Sequence, residues 1–254
     1  MESMINLELR AEIELKSRKI ESNLGYFAVR KEAVNKSLRS LGDIYSFWIE
    51  NPDLRKSLLL ERKQKKTLKK MARVGVHNIK NAWYYLYNNY EQKVFVDKFD
   101  ENTLKRVNGL VEPKIDGTGD FRKRDVTLNI REYTPPSWEK VPEKTNDIIE
   151  RVKDKYNEDP LESAIMCHLG IVAIQPFVEG NKRTARLIQN KILDSVSLPP
   201  AIISAGEGKF YFDLIKKVLP SYENENSKSQ KQFYDYCASK VNNGLDKILG
   251  DLNI

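Results

Sequence analysis

The sequence predicts a mostly α-helical protein with an N-terminal helical arm and one small β-hairpin. Two observations carry this. Apolar residues recur near the helical period along most of the chain, as at Leu7, Leu9, Ile13, Leu15 and Ile20. By contrast, Val126-Thr127-Leu128-Asn129-Ile130 alternates and is rich in β-branched residues, the pattern of a half-buried strand. The composition agrees: 40% hydrophobic and 31% charged residues, with a mean hydropathy of −0.58, fit a soluble, helix-rich chain with a real core.

In chain order, helices are expected from residue 5 to about 50, and Asn51-Pro52-Asp53 marks a turn and a new helix start. A helix follows from Leu54 to Lys70, and another from Asn78 to Asn88 that carries Trp83, Tyr84, Tyr85 and Tyr87, expected in the core. Asp116-Gly117-Thr118-Gly119-Asp120 reads as a loop, and the strand after it ends at Pro135-Pro136, since proline cannot donate to a ladder. One strand cannot stand alone, so it needs a hairpin partner, and the exposed edge of that hairpin can accept an incoming peptide. Asp159-Pro160 is an N-cap followed by the first helical position, and Leu161 to Ile174 is apolar on several faces, hence central. A helix from Lys182 to Ser195 stops before Pro199-Pro200, and two more cover Phe210 to Leu219 and Gln230 to Leu249.

Several function classes recede at this stage. No apolar run spans a membrane, and the charged N-terminus is not a secretory signal. Cys167 and Cys237 form no disulfide framework and no metal spacing, which is consistent with reduced thiols in a cytoplasmic protein. The net charge of +7 is concentrated between Arg62 and Arg73. Such a run can track nucleic-acid phosphates, but Leu68 and Met71 interrupt it at helical spacing, so a solvated amphipathic face is preferred.

The chemistry gathers in Gln175-Pro176-Phe177-Val178-Glu179-Gly180-Asn181-Lys182-Arg183-Thr184-Ala185-Arg186. Gly180 permits a tight turn into a helix whose first amides form an anion site. Arg183 adds a fork of donors, and Arg186, one turn on, faces the same side. Glu179 is a hard oxygen ligand suited to Mg²⁺ shared with phosphates. Phe177 anchors the turn in the core.

This stretch resembles the signature of Fic-domain proteins, His-Pro-Phe-x-Asp/Glu-Gly-Asn-Gly/Lys-Arg-x-x-Arg, and the likeness extends over about residues 95 to 245. The resemblance implies a Fic-type helical bundle over residues 96–254, preceded by an N-terminal helical region over residues 1–95. It implies AMP transfer from ATP, with Mg²⁺, to a Ser, Thr or Tyr hydroxyl of a target protein or of the chain itself, with a homodimer possible. Glu179 matches the metal carboxylate. Gly180, Asn181, Lys182 and Arg183 match the phosphate-binding positions, and Arg186 matches the arginine of the γ-phosphate. Val126, Thr127, Leu128, Asn129 and Ile130 match the target-docking flap. Ser17-Arg18-Lys19-Ile20-Glu21-Ser22-Asn23 resembles the family's inhibitory helix, expected at about residues 12–24, in which Ser17 and Glu21 take part and Glu21 would pair with Arg186.

Gln175 stands where the family has its histidine base. A glutamine amide hydrogen-bonds but takes no proton at neutral pH, so transfer is expected to be weak. Lys182 resembles the Doc branch, which phosphorylates its target. The readings to separate are a weakened, self-inhibited adenylyltransferase, a nucleotide-binding pseudoenzyme that docks a partner, and a Doc-like phosphotransferase. Nucleic-acid binding ranks below these.

Overall fold

A computed structural model of the protein describes residues 3–23, 62–91, 94–113, 115–128, 130–223 and 227–253. The expected turn at Asn51, the helix start at Leu54 and the rest of the first helical stretch lie outside the described residues, as does Asn129. The helices among them are α1 (residues 7–23), α2 (Arg62–Asn89), α3 (Phe95–Lys98), α4 (Glu101–Val111), α5 (Val141–Glu158), α6 (Pro160–Ile174), α7 (Asn181–Ser195), α8 (Gly208–Val218) and α9 (Lys228–Leu252). Short 3₁₀ turns precede α5 and flank α8.

α6 is the axis of the bundle. Its start is fixed by Asp159, whose side chain accepts the Glu162 N–H at 3.0 Å, and by Pro160 in the first turn. Nearly all its residues are buried, so it must be surrounded: α5 and α7 pack along it, and α9 crosses it. Gly170 permits α5 to approach closely, because a Cβ there would lie 2.4 Å from Ile148 of α5. α2 packs on α4, and α4 in turn on α7.

Two expectations change. The separate helices 54–70 and 78–88 give way, in the described part, to one helix running unbroken from Arg62 to Asn89. On it Trp83 is buried, but Tyr84 and Tyr87 are exposed, so the aromatic cluster is only partly core. The β-hairpin is not confirmed: none of the described residues is in a strand, and residues 123–128 and 130–137 are irregular. A strand needs a ladder, and none of the described residues supplies one. Leu128, Ile130 and Tyr133 instead rest on the core, and Tyr133 donates its hydroxyl to the Ala173 carbonyl at 2.8 Å.

The N-terminal arm is tied to the start of α6. The buried Glu162 carboxylate accepts from the Ser3 hydroxyl at 2.9 Å and the Met4 amide at 2.7 Å, and Arg10 pairs with both Asp159 and Glu162. Further along α1, Lys16 pairs with Asp246 of α9. Among the described residues no helix is long and apolar enough to cross a membrane.

Candidate functional site

The site lies where α6 ends and α7 begins. Gln175 caps α6 in the left-handed region, with φ 50° and ψ 58°, and its amide N–H reaches the Ile171 carbonyl. A non-glycine residue in this region is uncommon and costs about 1 kcal/mol, so the surroundings must hold it. They do so at both ends of the side chain: Nε2 donates to the Val172 carbonyl at 2.6 Å, and Oε1 accepts from the Asn181 side chain at 3.1 Å.

Gly180 opens α7 at φ 79°, and a Cβ there would meet Glu112 Cγ at 3.0 Å and Asn108 Nδ2 at 3.1 Å. The first bond of the α7 ladder runs from the Thr184 N–H to the Gly180 carbonyl at 2.9 Å, so the amides of residues 181–183 precede the ladder. That is the geometry of an anion cradle. Asn181 serves it as a brace: its side chain accepts the Phe177 N–H at 2.9 Å and donates to the Phe177 carbonyl at 2.8 Å. With its side chain spent on the turn, any contact of Asn181 with a phosphate falls to its backbone.

Three cations line the first turns of α7. Arg183 pairs with Glu112 and lies 3.7 Å from Glu179. Lys182 Nζ sits 4.8 Å from the centre of the Phe212 ring. Arg186, only 2% exposed, has its guanidinium 5.5 Å from the centre of the Tyr211 ring. The Glu179 carboxylate is more than half exposed at the mouth of the cradle. Among the described residues no group of three or more His, Cys, Asp or Glu could by itself enclose a metal. The donor set therefore fits a hard cation that takes one protein carboxylate and draws its other oxygens from a phosphate ligand and water, as Mg²⁺ does.

Three residues outside the motif hold this arrangement. Asn108, fully buried on α4, donates to the Glu179 carbonyl at 2.8 Å and to Thr184 Oγ1 at 3.3 Å, and accepts the Gly119 N–H at 3.0 Å. Glu112, just past α4, faces Arg183. Arg122, 1% exposed, donates to the carbonyls of Gln175 at 2.8 Å, Arg124 at 3.0 Å and Pro136, which ties both ends of the irregular flap segment to the motif turn. Their contacts with the motif span more than fifty residues of sequence, as from Arg122 to Gln175 and from Asn108 to Glu179, so local spacing does not reveal them.

The flap residues Val126, Thr127, Leu128 and Ile130 lie between these two tethers. The two histidines are not at the turn. His168 is fully buried in α6, and His77 is exposed on α2. The expected Glu21–Arg186 pair is also not formed among the described residues. Glu21 is exposed, and Ser17 lines a cleft with Asp159, Val196 and Leu198 at the start of α6 and the end of α7, the opposite ends from the motif. α1 is instead anchored at the start of α6 through Arg10, which pairs with Asp159 and Glu162. The side chains of the basic run from 62 to 73 lie outside the described residues.

Residues 98–193 match the Fic/DOC family. The Caenorhabditis elegans protein adenylyltransferase fic-1 is 36% identical over 101 residues, which is 39% of this chain and 19% of that protein. The chain thus spans about a fifth of the length of this relative. Among solved structures, a Fic-domain-containing signalling protein from Bacteroides thetaiotaomicron superposes with a TM-score of 0.77 at 15% identity, covering 95% of this chain and 98% of that one. Fic-1 of C. elegans superposes at 0.65 and 18%, covering 93% and 75%. At these identities the structures speak to the fold alone.

Proposed function

From the match of residues 98–193 to the Fic/DOC family, we propose that the chain binds ATP with Mg²⁺ and has the architecture of a protein adenylyltransferase whose proton acceptor is missing. The cradle at the start of α7 takes the phosphates: backbone amides and Arg183 hold the inner ones, and Arg186 meets the terminal one. Glu179 offers the metal an oxygen, and the bound metal supplies charge neutralisation along the triphosphate. AMP transfer requires a target hydroxyl to attack the α-phosphorus as pyrophosphate leaves, and the hydroxyl proton must go to a base. The flap segment, tethered by Arg122, would present the target.

The observation that carries this reading is the turn itself, with a left-handed Gln175 and Gly180 bracketing a brace made by Asn181. The same observation explains why transfer should be weak. Both polar atoms of the Gln175 amide are engaged, the amide cannot accept a proton, and neither histidine reaches the turn. General base catalysis is worth about 10²–10⁴-fold, which is the expected deficit. Lys182 resting on Phe212 gives no support to the Doc-like reading. The engaged Gln175 amide favours one second reading, a nucleotide-dependent docking module that transfers nothing.

The test is to incubate the chain and its Gln175→His form with α-labelled ATP, Mg²⁺ and cell lysate. Label appearing only with the histidine form is expected. If neither form labels anything while both bind ATP, the docking-module reading takes its place.

A further inference from the structure

Arg186 is held by a support that lies outside the motif. Its guanidinium rests over the Tyr211 ring of α8, and Tyr211 is fully buried. The Tyr211 hydroxyl lies 2.8 Å from Nε2 of His168, while Nδ1 of the same imidazole meets the Gln189 side-chain oxygen. An imidazole nitrogen facing an amide oxygen carries the proton, so Nε2 is the acceptor and the Tyr211 hydroxyl donates to it. Burial, and then the charge of Arg186, push His168 down to about 3, which keeps the ring neutral. The imidazole also packs edge-on against Phe233 of α9 at 5.4 Å. α6, α7 and α9 thus fix the orientation of one phenol ring.

Two physical consequences follow for the arginine. A phenol that donates its proton has a more electron-rich ring, which strengthens its attraction for a cation on its face. A guanidinium stacked on a ring keeps its N–H donors in its own plane, directed to the sides, where they can meet phosphate oxygens. We propose that Tyr211, oriented by His168, is a positioning residue for Arg186, and that it sets the preference of the site for a nucleoside triphosphate over the diphosphate. This rests on the reading of Arg186 as the group that meets the terminal phosphate.

The experiment measures Kd for ATP and for ADP, both with Mg²⁺, on the full chain and on Arg186→Ala, Tyr211→Met and Tyr211→Phe, with folding checked by thermal melting. Tyr211→Met removes the ring. Tyr211→Phe keeps it but loses the bond to His168. The expected result is that Arg186→Ala abolishes the preference for ATP, Tyr211→Met reduces it by about three- to tenfold, and Tyr211→Phe reduces it less, with ADP affinity unchanged throughout. If Arg186→Ala leaves the preference intact, the reading of Arg186 itself fails. If Arg186→Ala lowers it and the Tyr211 variants do not, or if they weaken ATP and ADP equally, the positioning role is overturned and Tyr211 is only core. Should Tyr211→Met not fold, Tyr211→Phe decides by the same criterion.

Discussion

His168 is a residue whose burial has a consequence in solution. Its pKa is depressed to about 3 by burial and then by Arg186, against about 6.5 in the unfolded chain. The unfolded state therefore binds a proton that the folded state refuses. Stability is fully present above pH 6.5 and is lost as pH falls from there toward 3. Between pH 6.5 and 5, before most carboxylates titrate, the slope should approach about 1.4 kcal/mol per pH unit. Denaturant unfolding across that range should show this slope in the native chain and its absence in His168→Gln, and equal slopes would remove the argument. Sequence shows that His168 lies two turns before Gln175 on an apolar helix, hence buried. It does not show Gln189 or Tyr211 as its partners, because those contacts depend on how three helices meet. The same limit applies at Gln175 and Asn181. Their types and order are legible as a motif, but the brace that ties them is a product of the folded turn.

At the scale of the helices, periodicity located α6 to α9 to within a few residues, and α6 and α9 also carry a side-chain cap at the start, from Asp159 and Ser227. Asp159-Pro160 before α6 is the clearest instance. The expected hairpin is not confirmed among the described residues. Alternation at Val126 to Ile130 reports a segment with one side on the core, which the irregular flap also has, and cannot report the absence of a ladder partner. Helix packing leaves a sharper test. Gly170 admits Ile148, and an alanine at 170 would press its Cβ to 2.4 Å from Ile148 Cγ1. Gly170→Ala should destabilise the fold by about 1–3 kcal/mol through overpacking. Ile148→Ala should cost about 2–5 kcal/mol by opening a cavity. Because each change relieves the other, the double variant should be more stable than the sum of the two losses implies, by about 0.5–3 kcal/mol. Additive losses in denaturant titrations would mean that the close contact at 170 does not limit how α5 sits on α6.

Across the whole molecule, α6 separates two kinds of work. At its start, Asp159 and Glu162 gather the arm through Arg10, Ser3 and Met4, and at its end Gln175 opens the motif turn. Fifteen residues of helix put about 22 Å between them. Arg10 is only partly buried, but its partners are not: removing its charge leaves two nearly buried carboxylates, with Lys155 at 3.2 Å as the remaining cation on Glu162. Arg10→Met keeps the apolar stem and deletes the charge, so it should lower stability by about 1–3 kcal/mol, less than the full cost of breaking a buried pair because solvent and Lys155 compensate in part. At the other end of α6 nothing in the phosphate cradle touches these groups, so ATP affinity measured well below the melting temperature should be unchanged. A stability loss with constant Kd would confirm that the arm acts as scaffold at this end. A Kd that moves by more than about threefold would mean that strain is carried along α6 to Gln175, and that the arm governs the site from a distance rather than by contact.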